Sequence, residues 1–523
     1  MRETLEIPQT RPQAAAQKLE VAKLAKGAGI SLAGKLTGRL VHTLGQITIA
    51  RLLGPETFGL YAIGWTMLQM IGLISPLGLD QGVIRYATRY WRADTSKLNS
   101  VVFQALAVAG LSGLVIGSSL YFLAPWLAKG VFNKPELTLV IRGFSPALAL
   151  FAALKVAAAA TRVSQRMQYT VISQDLAQPL SNLILVLAFY LLGWQLLGVV
   201  AAGASSFAIA LFLALRYVRQ LFPAKFSNVQ KSTFIAGELL AFSLPTTFAG
   251  IFANFTNRAD RLLVAYFRPA TEVGIYQAIS QSAILFATVM GAFNAIFSPV
   301  IADLYHQRQV KRIGELYKVS TKWGLYLSAP LFLTIIFAPH ELLSVIFGSR
   351  YAGGHQALVV LAFAQLINVG TGAVGPLLIM TGHQKKWFLI SGMMLLTNIA
   401  LNVLLVPRLG LLGAALGSVC AVFGLFSLGL YQIKRLLGIW PYDRRYFKGA
   451  FATLISVIAL LLLSQFEIHS LLLRLLATAA VSTIVFVGML LLSGMDEEDR
   501  EFIRLLRSRL RKRKGVAHAK RAH

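Results

Sequence analysis

Apolar runs of about 20 residues recur along nearly the whole chain, each long enough to cross a hydrocarbon core about 30 Å thick. A segment immersed in lipid must satisfy its own backbone polar groups, so each run is expected to be an α-helix and the fold an all-α integral membrane protein. Roughly 14 runs meet the length criterion. They fall near 27–51, 58–79, 99–124, 138–161, 169–192, 196–216, 237–267, 273–301, 322–347, 355–380, 386–406, 410–433, 446–466 and 470–493. Composition agrees: 56% of the 523 residues are hydrophobic and 14% are charged, unlike an ordinary soluble domain.

The net charge of +29 would suggest a nucleic-acid partner in a soluble protein. Here the positions of the charges decide otherwise. Most Lys and Arg fall on alternate loops, among them Arg85 to Lys97, Arg162 to Arg166, Arg216 to Lys231, Arg308 to Lys322 and Lys434 to Lys448. The intervening loops carry little beyond Arg51, Lys129, Lys134, Arg268, Arg350 and Arg408. Positive loops lie in the cytoplasm, which puts both termini there, requires an even number of spans and leaves no expectation of nucleic acid. The one cysteine, Cys420, rules out an intramolecular disulfide and a Cys-based metal site.

The two halves echo each other. Ala50, Gly59 and Tyr61 are matched about 215 residues later by Ala265, Gly274 and Tyr276, with Pro55 and Pro269 in the corresponding turns. That period holds an even number of spans, so the repeats share one orientation and are related by an axis along the membrane normal. The expected organisation is a cytoplasmic N-terminal tail (1–26), an N-terminal six-helix lobe (27–221), a cytoplasmic linker (222–236) and a C-terminal six-helix lobe (237–433). Two additional spans (434–493) and a basic cytoplasmic tail (494–523) follow. The lobes are pseudo-symmetric and face a central cavity. Residues 1–26 lack a secretory signal and contain a segment suited to a surface helix, and the tail around Asp496 to Lys514 reads as an amphipathic helix on anionic lipid.

Charged residues inside spans point to function, because a cation at mid-bilayer costs about 2.5–3.5 kcal/mol on insertion scales. Lys35, Arg39, His42 and Gln46 recur at helical spacing and form a polar stripe on the first span. Asn254, Asn257, Arg258 and Arg261 form a second stripe on the seventh span, and Arg142 and Lys155 lie on the fourth. Such a lining suits an anion, above all a phosphate or diphosphate. The candidate binding residues are Lys35, Arg39, His42, Arg142, Lys155, Asn257, Arg258 and Arg261. For Arg142, Arg261 and Arg474, nearer helix ends, snorkelling to the interface is the competing reading. Asp175 and Asp260 are the two acids at depth, candidates for a coupling ion and equally for local pairing with an arginine. Gln46, Gln69, Gln277, Gln281, Asn294, Asn398 and Asn402 offer hydrogen bonds to sugar hydroxyls or simply between helices.

No P-loop, H-E-x-x-H or recognisable nucleophile motif is present, so neither an enzyme nor an ATP-driven pump is expected, and no cofactor or metal.

The segment Ala50-Arg51-Leu52-Leu53-Gly54-Pro55-Glu56-Thr57-Phe58-Gly59-Leu60-Tyr61, with Gly78-Leu79 and Arg85, resembles the start of the polysaccharide transporter (O-antigen flippase) family. Asp260 to Leu263 with Val273 to Tyr276, and Thr381 to Lys385 with Asn398, Asn402, Pro407, Gly410 and Gly413-Ala414-Ala415, resemble its later segments. The resemblance implies the multidrug/oligosaccharidyl-lipid/polysaccharide exporter superfamily: two six-helix lobes with a V-shaped cavity, here with two extra C-terminal helices. It also implies a flippase that moves a polyprenyl-diphosphate-linked oligosaccharide (an O-antigen, capsule or exopolysaccharide repeat unit) by alternating access across the plasma membrane of a prokaryote. Membrane lipids, and a polysaccharide polymerase or glycosyltransferases, are the partners such a role brings. The alternatives are a peptidoglycan lipid II flippase, a multidrug exporter of the same superfamily, and a non-transporting membrane scaffold for glycan assembly.

Overall fold

A computed structural model describes residues 11–91, 94–164, 166–222, 237–244, 255 and 258–494. Among these residues the secondary structure is helical, with no β-strand. In chain order the main helices are α1 Arg11–Leu53, α2 Pro55–Ile71, α3 Leu79–Tyr90, α4 Thr95–Trp126, α5 Leu137–Phe144, α6 Ala147–Val163, α7 Met167–Leu191, α8 Gln195–Leu221 and α9 Ala259–Phe267. They continue with α10 Ala270–His306, α11 Val310–Phe337, α12 Pro339–Ile346, α13 His355–Thr371, α14 Val374–Met380, α15 Gln384–Leu409, α16 Leu411–Leu437, α17 Tyr446–Ser464 and α18 Leu471–Leu492.

Ten helices are long and apolar enough to cross a membrane among the described residues. Of the other four expected runs, α1, α2 and α10 lie on three, and the fourth, 237–267, is described only at 237–244, at 255 and from 258 through α9. α1 begins at Arg11, upstream of the expected first span. The expected second span, 58–79, is corrected: α2 stops at Ile71, and a turn through Pro76, Leu77 (φ 51°) and Gly78 (φ 69°) leads into α3. α3 is amphipathic, burying Leu79, Val83 and Ala87 at four-residue spacing, which the basic-loop reading of 85–97 overlooked.

Prolines mark several departures from simple helix. Pro146 separates α5 from α6, and Pro179 follows a π-helical stretch, Val171–Ala177, where a missing N–H is absorbed by widening the turn. Pro299 and Pro330 lie inside the continuous helices α10 and α11, while Pro245 falls outside the described residues. The short turn between α1 and α2 depends on Gly54, at φ 77°, with Pro55 preset for the first turn of α2.

One large apolar core runs through both halves, from Ile49 and Phe58 through Phe144 and Phe286 to Ala415, and a smaller one joins Ile301, Ile313, Leu377 and Ile433. Large apolar side chains such as Leu191, Phe447 and Leu492 point outward, as lipid-facing positions require. α17 and α18 pair with each other and pack on α11, where Thr334 meets Ser482 at 3.1 Å and the Tyr326 hydroxyl donates to the Arg445 carbonyl at 3.0 Å. Arg474 of α18 also pairs with the buried Glu341 of α12 at 3.2 Å.

Candidate functional site

The repeat-related helices α2 and α10 pack closely at their N-terminal ends, then frame a cavity about one to three turns further on. At the crossing, Gly59 and Gly274 let the backbones touch: a Cβ on Gly59 would strike the Ala270 carbonyl, and one on Gly274 the Pro55 carbonyl. Two cross-half hydrogen bonds secure the same end. The Tyr351 hydroxyl donates to the Ala50 carbonyl at the end of α1, and the Lys134 ammonium donates to the Ala265 carbonyl near the end of α9, each at 2.7 Å. Arg51 adds a third link, donating to the Val345 and Ile346 carbonyls that end α12, where a cation complements the helix dipole.

The cavity has a volume of about 640 Å³, within the usual range for ligand sites. α1 contributes Arg39, His42 and Thr43, and α2 contributes Trp65, Thr66 and Gln69. Arg258, Asp260 and Arg261 come from the start of α9, Gln277, Ser280 and Gln281 from α10, Gln365 from α13 and Ser418 from α16. Three guanidinium groups and one carboxylate therefore converge on a single space. His42 lies within electrostatic reach of all three arginines and stacks on Trp65, ring centroids 6.0 Å apart.

Local bonding fixes parts of this lining. Asp260 accepts from the Tyr276 hydroxyl and the Arg261 backbone N–H, both at 2.8 Å, which orients its carboxylate and anchors α9 to α10. Arg258 reaches across to the Gln69 amide oxygen at 3.4 Å. The buried Arg261 Nε has no hydrogen-bond partner among the described residues, so a donor is left over beside the cavity. An arrangement of this kind can neutralise and grip a phosphate or diphosphate.

The structure thus brings together Arg39, His42, Arg258 and Arg261 of the expected set. Lys35 and Lys155 do not line this cavity. Both lie within electrostatic reach of Asp175, and Lys155 also of Asp80 and Arg258, with its ammonium 5.3 Å from the Phe151 ring centre. Arg142 is not brought to the cavity either: it is exposed, over the Tyr121 ring at 5.0 Å. Asn254 and Asn257 lie outside the described residues. Among the neutral groups, Gln69, Gln277 and Gln281 line the cavity, whereas Gln46 is buried against Gln277 and Asn402 is packed on Asn398 and Gly417. Sequence reasoning passed over Thr43, Trp65, Thr66, Ser280, Gln365 and Ser418. Thr43 sits four residues beyond Arg39, and helical spacing alone would have placed it on the same stripe.

Comparison with known proteins agrees with this architecture. Residues 24–305 match the model of the family described as polysaccharide biosynthesis protein, and residues 245–404 match the MatE model. The succinoglycan biosynthesis transport protein ExoT of Rhizobium meliloti is 23% identical over 89% of this chain and 91% of its own length. The stage V sporulation protein B of Bacillus subtilis is 23% identical over 79% and 84%. The capsular polysaccharide biosynthesis protein CapF of Staphylococcus aureus is 22% identical over 38% of this chain and 50% of its own. Among solved structures, the lipid II flippase MurJ in an inward closed conformation superposes with a TM-score of 0.68 at 13% identity, covering 87% of this chain and 97% of that one. An inward-facing multidrug resistance MATE transporter of the MOP superfamily superposes with a TM-score of 0.64 at 16% identity, covering 79% and 98%. With more than half of its length matched by one family model and its fold shared with MOP-superfamily transporters, this chain is a multi-pass membrane protein of the polysaccharide biosynthesis protein family.

Proposed function

We propose that the protein is a flippase that carries a polyprenyl-diphosphate-linked oligosaccharide across the plasma membrane of a prokaryote by alternating access. The observation that carries this reading is the convergence of Arg39, Arg258 and Arg261 on one cavity against a single acid, Asp260. A net positive, partly desolvated space favours a diphosphate and opposes an organic cation, so the multidrug-exporter alternative fits poorly. Its other lining groups are mostly amides and hydroxyls, which suit a saccharide. Lipid II shares the diphosphate chemistry, and the relatives named for succinoglycan and capsule favour the polysaccharide branch.

In this reading both termini and the basic loops are cytoplasmic, lobes 27–221 and 237–433 rock about the cavity, and 434–493 form an appended pair. The crossing at Gly59 and Gly274 closes the outer end. The head group enters from the cytoplasmic side while the lipid tail stays in the bilayer. Arg39, Arg258 and Arg261 hold the diphosphate and release it when the lobes reopen outward, because a ligand drives transport only through its differential affinity for the two states. Lys35 and Lys155 extend the positive field toward the entrance. Asp175 and Asp260 are the groups available to couple an ion.

The test is flipping of a lipid-linked glycan by the full chain in reconstituted vesicles. Arg39→Ala is expected to slow it at least tenfold. Equal rates for variant and wild type would overturn the cavity assignment, and no flipping by wild type, with export in cells surviving charge reversal at Arg39 and Arg258, would favour a scaffold. Faster flipping of lipid II than of polysaccharide repeat units would favour the peptidoglycan role.

A further inference from the structure

A second recess lies on the outside of the N-terminal half, apart from the central cavity, and no residue lines both. It is a groove of about 280 Å³ between α4 and the junction of α5 with α6. Its floor is made by missing side chains. Gly113 and Gly117, four residues apart on α4, are buried against the opposing backbone: a Cβ on Gly113 would meet the Ala149 Cα at 2.6 Å, and one on Gly117 the Ser145 carbonyl at 2.5 Å. The rim stands higher, with Leu114, Tyr121 and Phe122 exposed on the α4 side and Pro146 on the other. From Gly113 to Phe122 the helix rises about 13.5 Å, which gives a narrow, mainly apolar trough suited to an extended alkyl chain.

One end of the trough carries a charge. Arg142 of α5 is exposed, and its guanidinium lies 5.0 Å from the centre of the Tyr121 ring on the rim. It makes no ion pair and no hydrogen bond among the described residues. A ring face attracts the cation but leaves the in-plane N–H donors of the guanidinium free. Arg142 stands five residues into an apolar helix, about 7.5 Å along its axis, where a lipid-facing cation needs a polar or anionic partner. Tyr121 and the exposed Trp126 at the end of α4 mark the level of the membrane interface, where lipid head groups lie.

We propose that this groove binds one anionic phospholipid, with its phosphate on Arg142 and an acyl chain along Gly113 and Gly117. The two ends of the site match the two parts of such a molecule. A soluble anion would leave the trough uncovered, and a neutral lipid would leave the guanidinium unpaired. Ser118, on the same rim, offers a hydroxyl between head group and chain. The lipid touches both sides of the helix break at Pro146 and so braces α4 against α5 and α6.

The test places the purified full chain in phosphatidylcholine nanodiscs that contain a little phosphatidylglycerol bearing a photoreactive diazirine on one acyl chain. Labelled peptides are then mapped. One basic side chain beside an anionic lipid is worth roughly a factor of five in occupancy. Labelling of segments 113–122 and 145–149 is therefore expected to exceed that of the lipid-facing segment 484–492 by about that factor. The excess is expected to vanish in Arg142→Gln, in Ser118→Trp, which fills the groove from an exposed position, and with a phosphatidylcholine probe carrying the same diazirine. Equal labelling of groove and control in wild type, or an excess that persists in either variant or with the phosphatidylcholine probe, would overturn the site and leave ordinary annular lipid. Displacement of the probe by a polyprenyl phosphate at lower concentration than by unlabelled phosphatidylglycerol would assign the groove to an isoprenoid chain and overturn the phospholipid as its occupant.

Discussion

Gly59 and Gly274 are in mutual contact, each lying where a side chain on the other would have to go: a Cβ on Gly59 would approach the Gly274 amide N at 2.9 Å, and one on Gly274 the Gly59 amide N at 3.0 Å. They are also the same position in the two repeats, since 274 − 59 = 215. The duplication thus places a glycine against its own copy, and the two halves meet on a local pseudo-twofold relation at one end of the cavity.

Adding a methyl group at this crossing should force two backbones apart. Gly59→Ala and Gly274→Ala are each expected to lower stability by about 1–3 kcal/mol, the usual range for overpacking. Gly110→Ala is the matched control, because a Cβ there meets nothing within 4 Å. Thermal unfolding in detergent measures the difference. Equal midpoints for the three variants would show that the crossing tolerates separation.

The carbonyl links beside the crossing should control how readily that end opens. Lys134→Met and Tyr351→Phe remove the donors to Ala265 and Ala50. Hydrogen–deuterium exchange at segments 46–55 and 258–270 is expected to rise severalfold in the double variant. Unchanged exchange would remove the links from any role in closure. Burial lowers the Lys134 ammonium below the ordinary lysine value. In the window just below that ordinary value the unfolded chain binds the proton more readily than the folded one, so the burial penalty is relieved as pH rises through it.

The pair α17 and α18 is tied to the rest of the bundle by Arg474 and Glu341, and Glu341 is buried. Arg474→Leu leaves that carboxylate without its cation and is expected to destabilise by about 1–3 kcal/mol, moderated because Arg474 is itself partly exposed. Arg474→Leu combined with Glu341→Leu should recover much of the loss, since replacing both members avoids the unpaired charge. A double variant no more stable than the single one, by thermal unfolding, would refute this account.

The residue pattern made some of this visible in advance. A polar stripe in a lipid-length helix is expensive, so Arg39 and His42 had to face a cavity or partner, and they do. The glycine and alanine pairs repeated 215 residues apart announced the duplication. The same reasoning could not separate Arg261 from Arg142, because both read as cations near helix ends, where snorkelling competes with the cavity. Arg142 takes the competing course and lies exposed over Tyr121, and nothing local distinguishes it from Arg261. Spacing likewise could not sort Gln69, Gln277 and Gln281, which reach the cavity, from Asn402, which is spent on packing against Gly417.

The sequence by itself determined the solvent of this chain, its helical character and its internal duplication, because hydropathy, backbone satisfaction in lipid and repeat spacing are local or periodic properties. Only the tertiary structure decided which charges share a space and that Gly59 meets Gly274. Those depend on the rotation of each helix and on contacts spanning more than two hundred residues, and no local pattern encodes them.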